Sequence, residues 1–596
     1  MLRSSRLFLP FVTVLATASF ALSGCSTFRG ETAESNLNAP INSTADGTDK
    51  DQSLAMDKDS SPSYRPFPKD TLTSLLTAEF AGQRHQFDVA LKGYLREAEQ
   101  TGDAQVAERA LRIAQYTGKA EAAQQASQLW LASEPDNPGA IQAAAQVALG
   151  QKEYQKSLAL FTRLYETSGV AQYDFYAATI SLAPESDREI ALVQLSDIAK
   201  SHPKEANVLY AQGILEQSLE RTDLALQKID KALKLQPNLL PAAIQKARIL
   251  GAAGREADAV KWLTKVRKEN PNNKAVALLR ANFMLKQEKI DDAGDAYQDI
   301  LKRFPADAQV TMALALIRED QERYVDAKKL FNDLLRMQQN TNSAYFYLGR
   351  IAIKENDNDL AINYFIRVTD SREYLPAQVT AADLITETRG LNQAIAYLDA
   401  QAQKEPKYSH QLKRIESDLL IKADRLNEAL DALSQAIDLE PNDTDLRYIR
   451  ALIAERVGDN ELMESDLKFI IAKDPKHAEA RNALGYSLAN RGVRLDESEL
   501  LLLEALELQP DNAAVIDSLG WLYFRKGMLN EAGPLLLDAW NRMKDHEVAA
   551  HLGEWYWTIN DQATAKEIWR EGLSLKSDSE VLLETLERFD LSPEQL

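Results

Sequence analysis

Cysteine is almost missing from this chain: Cys25 is the only one in 596 residues, so no internal disulfide can form. A sequence that otherwise does without thiols suits an oxidising compartment. Positive charge is also in deficit, with 69 Lys and Arg against 89 Asp and Glu and a formal net charge of −20. That balance argues against nucleic acid as a partner, because affinity for a phosphate backbone depends on clustered Lys and Arg. No block of like charge stands out along the chain. Long hydrophobic runs are lacking too. Leu7 to Leu22 is apolar-leaning but short and broken by Pro10, whereas a membrane-spanning helix needs about 20 residues. No stretch alternates like a strand, and no separate catalytic domain can be delimited.

Catalytic and metal motifs are equally scarce. His546-Glu547-Val548-Ala549-Ala550-His551 superficially matches a zinc-protease motif, but that motif needs histidines at i and i+4, and here the spacing is five. At about 100° per residue the second ring leaves the common face. The two histidines are therefore expected on a helix surface at a repeat junction. Gly118-Lys119 has no Gly five residues upstream and is not a P-loop. Gly251 and Gly254 are expected in a turn between helices. Neither a Ser-His-Asp grouping nor any cofactor motif rises above chance. No enzyme activity, cofactor or metal is expected.

What the chain does have is a beat of 34 residues. Closing prolines fall at Pro203, Pro237, Pro271 and Pro305. A small residue recurs at Ala90, Ala123, Ser157, Ala191, Ala225, Ala259, Ala293, Ala327 and Ala361, then at Ala394, Ala429, Met463, Ser498, Ala532 and Ala565. A second column of small residues contains Gly213, Gly349, Gly485, Gly520 and Gly553. Small residues let two antiparallel helices approach, and Pro stops the second helix because it lacks an N–H and clashes with the preceding turn. Gly or Ala near place 8 and Ala near place 20 of a 34-residue unit is the tetratricopeptide (TPR) signature. The predicted fold is all-α, a right-handed superhelical TPR solenoid of about 15 helix pairs over residues 68–596. Repeats between Ala104 and Pro203 are degenerate, with Leu111 and Thr179 near place 8. Glu580 to Leu591 is predicted to be a capping helix, needed because a last repeat otherwise exposes an apolar face.

The front of the chain differs. Arg3 and Arg6 precede the apolar Leu7–Leu22 stretch, as in a signal peptide, and Leu22-Ser23-Gly24-Cys25 resembles the lipobox of bacterial lipoproteins. The resemblance implies a signal peptide at 1–24 and acyl chains on Cys25. Residues 25–67 are rich in Ser, Thr, Asp, Asn and Pro with no helical period, a composition predicting a disordered tether. Ser26 directly after the Cys favours sorting to the outer membrane, which places the protein there as a lipid-anchored, periplasm-facing chain.

In TPR geometry the concave groove is lined by defined first-helix places. Counted from Gly485, Gly520 and Gly553, these include Asn482, Tyr486 and Asn490, then Asp517, Trp521, Phe524 and Arg525, then Glu554 and Trp557. Five of seven tryptophans lie in the last 80 residues, and exposed aromatics flanked by Asn, Asp and Arg are expected to anchor a partner. Trp540 and Trp569 fall on second helices and are expected to pack between helices. Asn482, Tyr486 and Ser518 do not supply the Lys and Asn pattern of the dicarboxylate clamp.

Three stretches carry a more specific likeness: SLLTAEFAGQRHQFDVALKGYLREA (Ser74–Ala98), AVIDSLGWLYFRKGMLNEA (Ala514–Ala532) and DHEVAAHLGEWYW (Asp545–Trp557). With the lipobox in front, the chain resembles the outer-membrane TPR lipoproteins that partner a periplasmic carboxy-terminal processing protease in gamma-proteobacteria. The resemblance implies a non-enzymatic adaptor that brings this serine protease to peptidoglycan hydrolases and so controls cell-wall cross-link cutting. The catalytic Ser and Lys of that system belong to the protease, so none are carried over. The alternative is a structural TPR lipoprotein of an envelope export or assembly machine, such as one for polysaccharide.

Overall fold

A computed structural model describes residues 69–596. The leader at 1–24, Cys25 and the tether at 25–67 lie outside the described residues. Among the described residues α-helices follow one another with only short turns and 3-10 segments between them, and there is no strand. None of these helices is long and apolar enough to cross a membrane. The chain divides into two compact units, one ending at Ile317 and the other running from Arg318 to Leu596. Each unit is a stack of antiparallel helix pairs, in which a helix packs on the next or the next but one along the chain. This is the TPR architecture.

The small-residue column explains the stacking. In the first unit Ala90, Ser157, Ala225, Ala259 and Ala293 are buried on second helices, and in the second unit so are Ala327, Ala361, Ala429, Ser498, Ala532 and Ala565. Facing them, the first-helix glycines leave no room for a side chain. A Cβ on Gly213 would stand 2.5 Å from Ile229, and one on Gly553 would stand 2.2 Å from the Trp569 ring. Ala293→Trp and Ala327→Trp therefore force backbones apart. Each should cost about 1–3 kcal/mol or more, read as a lowered melting midpoint with damage confined at first to the neighbouring repeats. An unchanged melt for both would remove the column from the packing.

First helices begin on polar caps that accept otherwise unpaired N–H groups. Asp103, Asn137, Asn273, Asp443, Asn512 and Asp545 all do so. Between the two helices of most pairs the chain turns through a left-handed residue. Gly254 supplies it at φ +70°, but Glu288 and Glu322 adopt the same conformation at +57° and +56° without being glycine. Gly251 is not in that turn, contrary to expectation. It closes the Leu240–Ala252 helix, where a Cβ would come within 2.1 Å of Phe283 in the next repeat. Thr179 also departs from its expected place. The first helix there is cut to Tyr173–Ile180, and Ala177, not Thr179, is the fully buried small residue.

Several polar groups lie within the core, Asp466 among them. Asp466, fully buried on the Asn460–Lys473 helix, accepts hydrogen bonds from Arg450 Nε (2.7 Å), Arg450 Nη2 (2.8 Å) and Arg447 Nη1 (2.8 Å). Both arginines come from the first helix of the same pair, Thr444–Arg456. At the chain's end the Glu580–Arg588 helix buries Leu582 and Leu586 against the last pair, as a cap should.

Candidate functional site

Three consecutive first helices of the second unit, Ala478–Arg491, Ala513–Arg525 and His546–Thr558, carry the expected groove residues. The middle helix packs against both others, so side chains about one repeat apart in sequence meet in space. Asp517 and His551 are 34 residues apart and form the closest such pair: Asp517 Oδ2 lies 2.8 Å from His551 Nδ1. An ionised carboxylate can only accept, so Nδ1 carries the proton. Nε2 is then free to accept from the Tyr486 hydroxyl, 3.3 Å away on the first of the three helices. Burial pushes the Tyr486 phenol well above the ordinary tyrosine range, so the hydroxyl stays protonated.

Aromatic stacking completes the row. The His551 ring lies on Trp521 with centroids 4.2 Å apart, and Trp521 stacks in turn on Phe524 at 5.1 Å. The Trp521 indole N–H points at Asn490 Oδ1 (3.3 Å), and Arg525 Nη1 donates to the Asn490 backbone carbonyl (2.6 Å). Further along, Glu554 accepts two hydrogen bonds from Arg588 of the capping helix, at 3.1 and 2.7 Å. Trp557 packs on Trp569 and Phe589, each with centroids 5.5 Å away.

The expected residues are thus brought together, but they are not the exposed anchors that place-counting implies. Trp521 is only 3% exposed, because the His551 ring from the next repeat covers it. Asp517 and Glu554 are buried in hydrogen-bonded pairs, while Asn482, Tyr486, Phe524 and Trp557 are half-buried. Asn490 and Arg525 are the exposed members. Trp540 and Trp569 are buried between helices. His551, taken from the sequence as a surface residue, is buried at the centre of the row, and the overlooked signal was its one-repeat spacing from Asp517. His546 turns elsewhere, with Nδ1 2.9 Å from the Ser579 hydroxyl at the start of the capping helix.

The Asp–His pair meets a protonated phenol, and the Ser518 hydroxyl, next to Asp517 in sequence, donates to the Ala514 carbonyl of its own helix. Among the described residues no group of three His, Cys, Asp or Glu is placed to hold a metal ion. What the arrangement provides is a rigid wall with Asn490 and Arg525 at its wet edge.

A family model described as the protein kinase G tetratricopeptide repeat matches residues 212–435, and a tetratricopeptide-repeat model matches residues 464–513. The chain is 39% identical over 541 residues to the TPR repeat-containing protein PA4667 of Pseudomonas aeruginosa, an alignment covering 91% of this chain and 90% of that one. Among solved structures it is similar to a chain of the APC/C hetero-tetramer Cut9–Hcn1, at 17% identity and a TM-score of 0.31, over 87% of this chain and 96% of that one. A tetratricopeptide repeat protein from Parabacteroides merdae aligns at 14% identity and a TM-score of 0.34, over 41% of this chain and 97% of that one. The identity and mutual coverage with the Pseudomonas protein, together with the 34-residue helix pairs, show that the chain belongs to the TPR repeat-containing protein family.

Proposed function

We propose that this protein is a non-enzymatic adaptor, anchored to the outer membrane through acyl chains on Cys25, that holds a periplasmic carboxy-terminal processing protease beside peptidoglycan hydrolases. TPR stacks serve protein–protein interaction, and tethering two partners to one scaffold raises their effective concentration without new chemistry. The observation that carries the reading is the wall built by three successive first helices, rigidified by the Asp517–His551–Tyr486 chain and edged by Asn490 and Arg525. The specific partners come from the likeness of the Ser74–Ala98, Ala514–Ala532 and Asp545–Trp557 stretches and from the lipobox.

The test uses the purified mature protein with such a protease and a folded hydrolase substrate. The protein alone should cleave neither protein nor peptidoglycan, and it should accelerate the protease. Asn490→Ala with Arg525→Glu should weaken capture of at least one partner by about tenfold, the range of a lost interfacial hydrogen bond plus a reversed charge. Both residues are exposed, so helical content should stay at the wild-type level. Full capture of every partner by the double variant would move the site elsewhere. Recovery of an export channel in place of a protease would replace the adaptor reading with that of an envelope machine.

A further inference from the structure

The −20 of the whole chain hides a reversal of sign. Residues 226–286 contain 13 Lys and Arg against 4 Asp and Glu, a net of +9, while the flanking residues 69–225 and 287–317 carry −7 and −3. The excess is interleaved with other residues, so it forms no run of like charge in the sequence. The basic residues are spread over four helices, from Thr222–Leu235 to Lys274–Lys286, and the fold brings some of them together.

Lys231, Lys234, Lys246, Arg255, Lys261 and Lys265 line an open groove of about 800 Å³ between the second helices Thr222–Leu235 and Glu256–Glu269. Its floor is apolar, made by the buried Leu226 and Leu250 and the half-buried Trp262. The Trp262 ring is fixed, because its N–H donates to the Ala243 carbonyl at 2.8 Å and the Lys246 ammonium sits 4.3 Å from its centroid. Two of the three carboxylates lining the groove are already engaged, Asp230 with Lys246 and Asp258 with Arg255. Lys231, Lys234, Lys261 and Lys265 are exposed, and among the described residues no carboxylate lies within ion-pair distance of them. Four cations without a carboxylate partner, Lys265 among them with its ammonium 5.7 Å from the Trp262 ring centroid, stand around an apolar floor and make a site for an anionic ligand that also has an apolar part.

We infer that this groove docks an acidic peptide segment of a partner protein, with Asp or Glu side chains on the four lysines and an apolar side chain against Trp262. This site lies in the first unit and does not depend on the adaptor reading or on the partners named there. The volume falls within the roughly 300–1,000 Å³ of sites that enclose a ligand. A simple anion would leave the apolar floor unused. A nucleic acid would run beyond the basic island onto acidic repeats, and screening over about 8 Å at physiological salt keeps those repeats from sharing the positive potential.

The experiment measures fluorescence anisotropy of the full chain with a labelled peptide that alternates Glu with Leu and Phe. The comparison ligands are the same peptide with Lys for Glu, a single-stranded oligothymidine, and vesicles containing phosphatidylglycerol. The acidic peptide should bind and the Lys peptide should not. Lys234→Glu/Lys261→Glu/Lys265→Glu should weaken binding about tenfold or more, since each reversal removes an exposed pair and adds a repulsion. Should that variant lose helicity, Lys→Gln at the same three positions makes the same test with a smaller loss. Binding unchanged in the folded variants, or tighter binding of the oligonucleotide or the vesicles than of the acidic peptide, would overturn the proposal.

Discussion

Asp466→Ala should destabilise the second unit by about 3–5 kcal/mol, the usual cost of breaking a buried ion pair from one side. The carboxylate is fully buried, and the two guanidinium groups it holds are only 16% and 12% exposed, so its loss strands two desolvated cations. Arg447 keeps its donations to the Pro441 carbonyl (3.2 and 3.1 Å) and its place 3.9 Å from the Phe469 ring centroid, so the loss falls on its uncompensated charge. Hydrogen exchange should accelerate first over residues 444–473, because neighbouring pairs in a repeat array are only partly coupled. A compensating triple change, Arg447→Met/Arg450→Met/Asp466→Leu, should recover most of the loss, since packed apolar groups replace buried ion clusters at little or no cost. A loss under about 1 kcal/mol for Asp466→Ala would show that the arginines find water or other acceptors, and that the cluster is not structural.

Trp569→Ala should cost about as much, roughly 3–5 kcal/mol for a fully buried Trp, but at the chain's end. Its ring has no solvent exposure and packs on Trp557 and Phe589, and it fills the space against Gly553 where no Cβ can fit. Without it the capping helix loses much of the surface it seals. The expected result is fraying of residues 546–596, seen as new proteolytic cuts there and as a reduced near-ultraviolet signal, while the first unit melts as before. Trp569→Phe should retain the cap with a smaller loss. A C-terminal region that resists protease in Trp569→Ala would mean that Leu582 and Leu586 hold the cap by themselves.

The helix-pair architecture was legible because it rests on single residues at fixed places. One small side chain per helix sets how closely two backbones approach, so Ala225, Ala259 and Ala293 announce it every 34 residues. Burial of the groove residues was not legible in the same way. Whether Trp521 is wet depends on which side chain the next repeat places over it, and the imidazole of His551 covers it. That is a property of a pair of residues, not of a place in a repeat. Thr179 shows a second limit, since shortening of the Tyr173–Ile180 helix shifts the contact to Ala177 with little change in sequence period. The basic groove escaped for a third reason: its lysines are interleaved with apolar core positions, and only the turn between helices brings them onto one rim.

Contacts that, the Tyr486–His551 bond apart, reach mainly to the next helix or the next but one also govern how each unit acquires its structure. Low sequence separation between contacting residues removes most of the loop-closure cost that slows other folds of this size. A newly emerging chain can complete one pair as soon as the following first helix is available, without waiting for its far end. Folding then advances along the chain like a zipper, and the exposed apolar surface at any moment is about one repeat wide. The cap at Glu580–Arg588 is the step that closes that moving edge, which makes the final helix the last protection against association between unfinished chains.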